Sequence, residues 1–126
     1  MRSARREPHQ IEAGLTEFPV TVTDLLGRPL CFFGGGYLRI FPYALIRRMA
    51  RRVLAEGRPV IYYIHPREID PAHPRRPMSA ARRFKSYVNL ETTEAKLCRI
   101  LDEFPAISFR EFLTARADML EGAHVH

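Results

Sequence analysis

The sequence predicts an α/β chain with element order β-α-β-α-β-α and parallel strands. Three observations lead there. RPVIYYIHP (58–66) is a near-continuous apolar run, the pattern of a strand covered on both faces. PYALIRRMARRVLAE (42–56) places Leu45, Ile46, Met49, Ala50, Val53 and Leu54 on one broad face at helical spacing. Gly57 then stops that helix directly before the strand, which makes a strand–helix–strand unit with the β-rich stretch upstream.

Taken in order, MRSARREPHQ is basic and no apolar stretch follows it, so it is not a secretory signal. Residues 1–11 are expected to form a disordered basic arm, and residues 12–115 the folded α/β region. Phe18, Val20 and Val22 alternate with Thr21 and Thr23, which predicts a first strand at about 17–23. GRPL turns the chain. Gly34, Gly35 and Gly36 permit close backbone approach but lack the spacing of a phosphate loop. They read equally as a plain connector or as a loop lining a cleft. Pro42 suits a helix's first turn.

PREIDPAHPRRP (66–77) is too rich in proline for helix or central strand. It is expected as a surface loop after the strand's carboxyl end, where parallel α/β proteins place working groups. NLETTEAKLCRILDEF (89–104) predicts a second helix with Asn89 as N-cap and Glu91 and Glu94 near its positive end. AISFREFL (106–113) is expected to be a third strand passing into a short helix. Residues 116–126 are expected to fray. Three strands leave unpaired edges, so either the chain pairs with a copy of itself or it closes a larger sheet or barrel.

Composition narrows the function classes. No stretch approaches the ~20 apolar residues of a membrane span, and a cytoplasmic, reduced protein is expected. Cys31 and Cys98 lack metal-type spacing, and the five histidines form neither HxxxH nor HExxH. No cofactor is therefore expected in this chain. The net charge is +6, and all basic residues except Lys85 and Lys96 are arginine. The arginines come in scattered pairs without interleaved aromatics, which makes nucleic acid a poor fit. Those of 47–52 read as a solvated helix face.

Five blocks carry a resemblance: EFP (17–19), LLGRPL (25–30), GGGYLRIFPY (34–43), EGRPVIYYIHPREIDP (56–71) and YVNLETTEAKLCRIL (87–101). In this order they resemble the C-terminal region, catalogued as a domain of unknown function, of the bacterial exosortase-associated (PEP-CTERM) polysaccharide deacetylases. Those are enzymes of the carbohydrate esterase family 4 type, and the resemblance covers about residues 12–113. It implies the C-terminal portion of a distorted (β/α) deacetylase barrel that removes N-acetyl groups from polysaccharide amino sugars. It also implies zinc or another divalent metal in the full-length family, held by an Asp and two His, with a further Asp as base.

Only one catalytic member carries over. His65, after VIYYI, matches the family's late histidine, which protonates the leaving amine. The metal-binding blocks have no counterpart, and the expectation is a chain that begins after them and is inactive without that half. Tyr63 stands where the family usually has leucine, and Arg67 where this subfamily often has tryptophan.

The residue type suits the role, since unperturbed histidine titrates at about pH 6.5. Glu68 and Asp70 are candidate orienters of the ring, or turn residues satisfying backbone donors. Gly34, Gly35, Gly36, Tyr37, Arg39, Tyr63 and Arg67 are the candidate substrate contacts. A different class stands beside this one: a non-catalytic basic module binding an anionic polymer, polysaccharide or nucleic acid. A metal-free hydrolase pairing His65 with Cys31 or Ser79 has no support from spacing.

Overall fold

Two short hairpins open the fold. A computed structural model of the chain describes residues 5–122. β1 (His9–Glu12) pairs antiparallel with β2 (Leu15–Glu17), and β3 (Thr23–Leu25) with β4 (Arg28–Leu30). Helices follow: α1 (Gly35–Ile40), α2 (Tyr43–Ala55), α3 (Ala80–Tyr87), α4 (Thr93–Glu103) and α5 (Phe109–Gly122). Single 3₁₀ turns lie at Pro66–Glu68 and Leu90–Thr92.

The parallel β-α-β-α-β-α sheet expected from sequence does not form: the two sheets are small, two-stranded and antiparallel. Residues 58–66 make a single parallel bridge, Gly34 to Tyr63, and are otherwise outside any strand. Val60, Tyr62 and Ile64 pack half-buried against the core while Tyr63 is exposed, but partial burial alone does not make a strand; a ladder needs a continuous backbone partner. Here part of that role falls to a side chain. Thr21 Oγ1 accepts from Ile61 N–H (2.7 Å) and donates to Pro59 O (3.3 Å). The strand expected at 17–23 breaks instead into the end of β2 and the start of β3.

No strand forms at 106–113, because α5 starts at Phe109. The Glu111 carboxylate accepts from Ser108 N–H and Oγ–H, and Ser108 Oγ accepts from Glu111 N–H. This capping box, Ser108-x-x-Glu111, was readable in the sequence and outweighs the β-branched and aromatic content. α5 carries the chain helically through residues 116–122 of the expected frayed tail, and β1 occupies residues 9–12 of the expected arm. Residues 1–4 and 123–126 lie outside the described residues.

The core is Phe32, Phe33, Leu38, Ile46, Met49, Ala50, Val53 and Ile100, with Val60, Tyr62 and Ile64 packed against it. α2 forms as its spacing predicts and buries Ile46, Met49, Ala50 and Val53. Its arginine face is not simply solvated. The Glu103 carboxylate of α4 accepts from Tyr43 Oη (2.7 Å), Arg47 Nε and Arg51 (2.7 Å). These donors, Tyr43 first and then Arg47, hold Glu103 below the usual carboxylate range. One acidic residue thus fastens α4 along α2.

α1 is a poor helix by composition, since it opens on two glycines. Lys96 of α4 compensates. Its ammonium donates to the carbonyls of Leu38 (2.9 Å), Arg39 (3.1 Å) and Phe41 (3.0 Å), groups that a helix end leaves without partners. Burial lowers the Lys96 pKa. Asn89 stands at the N-cap position of the 3₁₀ turn Leu90–Thr92, but its side chain makes no capping hydrogen bond there. It sits in the left-handed region at φ 52°, and its amide donates to Arg39 O (3.2 Å).

The β3–β4 turn places Leu26 (φ 52°) and Gly27 (φ 75°) both at positive φ, the type I′ pattern that favours Asn-Gly. Leu26 is 96% exposed, so its side chain gains little from packing. Leu26→Asn is therefore expected to stabilise the protein by about 1 kcal/mol. Urea unfolding of both proteins checks this; an unchanged or lower midpoint refutes it.

Candidate functional site

The candidate residues gather where the glycine loop meets the chain after Tyr63. Tyr63 N–H donates to Phe33 O (3.1 Å), and Gly35 N–H donates to Tyr63 O (2.9 Å). This locks residues 33–35 beside residue 63. Glu68 then folds back beneath the loop. Its carboxylate accepts from His65 N–H (2.9 Å), and its own N–H donates to His65 O (2.9 Å).

Glu68 is 3% exposed. Its charge is balanced by Arg39, 4% exposed, at 3.9 Å. Arg39 in turn donates to the carbonyls of Ser86 and Lys85 at the end of α3, while its Nε has no partner among the described residues. Two ions this far from water each lose several kcal/mol of solvation, so the pair is roughly neutral when intact and costly when broken.

The need for glycine follows. A Cβ on Gly35 would lie 1.6 Å from Glu68 Oε2 and 2.0 Å from its carboxyl carbon. Only a residue without a side chain lets this carboxylate reach the His65 amide. Gly34 is near Cys31 Sγ (3.7 Å from a built Cβ) and Gly36 near Arg39 (3.8 Å), neither of them a clash.

The His65 side chain points outward and is exposed. Its ring stands edge-on to Tyr63, with centroids 4.8 Å apart at 80°. Tyr63 is 57% exposed, so the two rings form a small aromatic shelf. Among the described residues the imidazole makes no hydrogen bond outside its own turn. The Glu68 carboxylate engages the backbone of His65 and not its ring. Asp70 closes the next turn: its carboxylate accepts from Ala72 N–H (3.1 Å), and its carbonyl is 2.7 Å from His73 Nδ1. Of the expected substrate contacts, Tyr63 and Arg67 are exposed beside His65. Tyr37 stacks on Phe41 (5.8 Å, 6°), and Arg39 is internal.

This arrangement can exchange a proton at His65 and offer a ring surface. It does not fit a metal, because the described residues contain no group of three or more His, Cys, Asp or Glu side chains placed to hold one. Nor is a nucleophile paired with the ring among the described residues. Sequence reasoning missed that Glu68 and Arg39 are partners. The pattern Gly35…Arg39…Glu68 contains them, but which charges are buried depends on tertiary packing. No helix among the described residues is long and apolar enough to cross a membrane.

Because Gly35 and the Glu68 carboxylate compete for one space, their substitutions are expected to be strongly non-additive. Gly35→Ala alone should cost about 3–5 kcal/mol by expelling the carboxylate from Arg39. In a Glu68→Ala background the added methyl meets empty space and should cost under about 1 kcal/mol. A double-mutant cycle by chemical denaturation reads the coupling; additive costs would refute the clamp.

No curated protein and no solved structure matches the chain significantly. A family model, described as Domain of unknown function (DUF3473), matches residues 1–114 and so takes in the glycine loop, the clamp and His65. The chain belongs to that family.

Proposed function

We propose that the chain is the C-terminal part of a polysaccharide N-deacetylase of the exosortase-associated type, and that it contributes the acid of the reaction. The reading rests on the sequence resemblance, and the observation that carries it is the presentation of His65. The backbone is clamped from below by a buried carboxylate, while the imidazole is left exposed with no partner outside its own turn among the described residues. A structural histidine normally spends its ring nitrogens on internal hydrogen bonds.

In the proposed reaction water adds to the acetyl carbon and the C–N bond breaks. Acetate leaves, and the His65 imidazolium gives its proton to the departing nitrogen. An amine anion is a poor leaving group, so this proton lowers the barrier. Tyr63, edge-on to the ring, limits its rotation and offers a face to the sugar. The attacking water must be activated by groups outside this site.

The test is acetate release from an N-acetylated amino-sugar polymer. The chain alone should give none, with or without added zinc. Joined to a deacetylase half of its own family it should give turnover, and His65→Gln should lower kcat by about 10²–10⁴ while circular dichroism stays unchanged. Robust turnover by the chain alone, or full activity with His65→Gln, would overturn the assignment.

One observation favours a second reading, a non-catalytic module for an anionic polysaccharide. Arg47, Arg51 and Arg52 of α2 are matched by Glu103 and Glu56. Arg67, Arg75, Arg76, Arg82, Arg83 and Lys85 are exposed and enter no ion pair among the described residues. On this reading the chain binds alginate at low salt and loses affinity at least tenfold between 50 and 200 mM salt. Arg82→Glu with Arg83→Glu should abolish binding; retention, or salt-independent binding, counts against it.

A further inference from the structure

We propose that the stretch from Val60 to Ile64 is a docking edge for an extended polypeptide strand of a partner, seated in the apolar groove beside it. The inference goes beyond the enzymatic reading and does not depend on it.

The hydrogen-bond pattern defines the edge. Pro59 O, Ile61 N, Tyr63 N and Tyr63 O are all engaged, by Thr21 Oγ1, Phe33 O and Gly35 N. Backbone groups of alternate residues point to opposite edges of an extended chain. The N–H and C=O groups of Val60, Tyr62 and Ile64 therefore face the other way. Among the described residues none of these six groups has a hydrogen-bond partner. Such a row, repeating every ~7 Å, is a template for another backbone.

The space beside this stretch is shaped for side chains. A groove of about 750 Å³ is lined by Val60, Ile61 and Tyr62 of this stretch together with Leu101, Phe104, Ile107 and Phe109. Leu101, Ile107 and Phe109 are 52–60% exposed, an apolar rim larger than scattered surface residues. A lipid would fill the groove but leave the backbone row unmatched. An extended peptide with apolar residues at alternate positions satisfies both.

The occupant is a partner's strand and not a second folded copy. The groove is already lined by the apolar residues of 101–109 beside Val60 and Tyr62, so it has room for a bare strand, whereas a copy would bring its own 101–109 segment along with its own Val60–Ile64 edge. Each copy also carries a net charge of +6, which opposes close self-association.

The experiment is residue-level amide exchange on the full chain, alone and with a capped nonapeptide of alternating valine and threonine. Alone, the Val60, Tyr62 and Ile64 amides should exchange faster than those of Ile61 and Tyr63. With up to millimolar peptide their exchange should slow at least tenfold, the Ile61 and Tyr63 amides changing less. N-methylation of the peptide at alternate residues should abolish the effect, because it removes the donors and keeps the apolar surface. Ile107→Asp, at an exposed wall position, should weaken binding at least tenfold without altering the fold.

Absence of protection at millimolar peptide would overturn the proposal. So would equal binding of the N-methylated peptide, which means apolar capture alone, or protection that rises with protein concentration without peptide, which means a second copy.

Discussion

The buried ion pair between Arg39 and Glu68 is the constraint on which the rest of the site depends. It joins four pieces of chain that sequence keeps apart: the glycine helix α1, the turn after His65, the end of α3 and, through Gly35, the bridge to Tyr63. Its net stabilisation is small, since desolvation of two ions offsets their attraction. Its value is in specification. An unpaired charge at either position would cost several kcal/mol, so alternative arrangements of the 65–70 turn are excluded. The exposed imidazole inherits that rigidity through its own backbone.

Two further polar hubs repeat the principle in a less buried setting. Glu103 gathers Tyr43, Arg47 and Arg51 and aligns α4 with α2. Lys96 and Asn89 close the carboxyl end of α1 from below. With only short hairpins available, the fold relies on side chains reaching backbone carbonyls where a larger sheet would use ladders. Thr21 does the same for Pro59 and Ile61, and Arg58 for Val22.

What the sequence made legible was local. The 3.6-residue spacing of Ile46, Met49, Ala50 and Val53 located α2 and its buried face. The prolines of 66–77 located the loop, and the apolar run before His65 located a half-buried segment packed on the core. What failed was the step from buried segment to parallel strand. Periodicity reports burial, whereas strand assignment depends on which backbone lies alongside, and that partner is distant in sequence. The Ser108–Glu111 box is local and legible, and it decides for helix over the aromatic content of 106–113. The Arg39–Glu68 pairing was not legible, because nothing local distinguishes a charge that will be buried from one that will be solvated.

The clamp also dictates an order of events. Arg39 reaches the carbonyls of Lys85 and Ser86 across 46 and 47 residues. Closing a loop of that length loses chain entropy before any contact repays it, so such contacts form late. The nascent protein can build α2 and its apolar face early, from neighbours in sequence. Until α3 arrives, however, Arg39 lacks the carbonyls that hold it against Glu68, and the turn that carries His65 has no fixed shape. The presentation of that histidine is therefore a late product of folding, acquired together with a long-range closure.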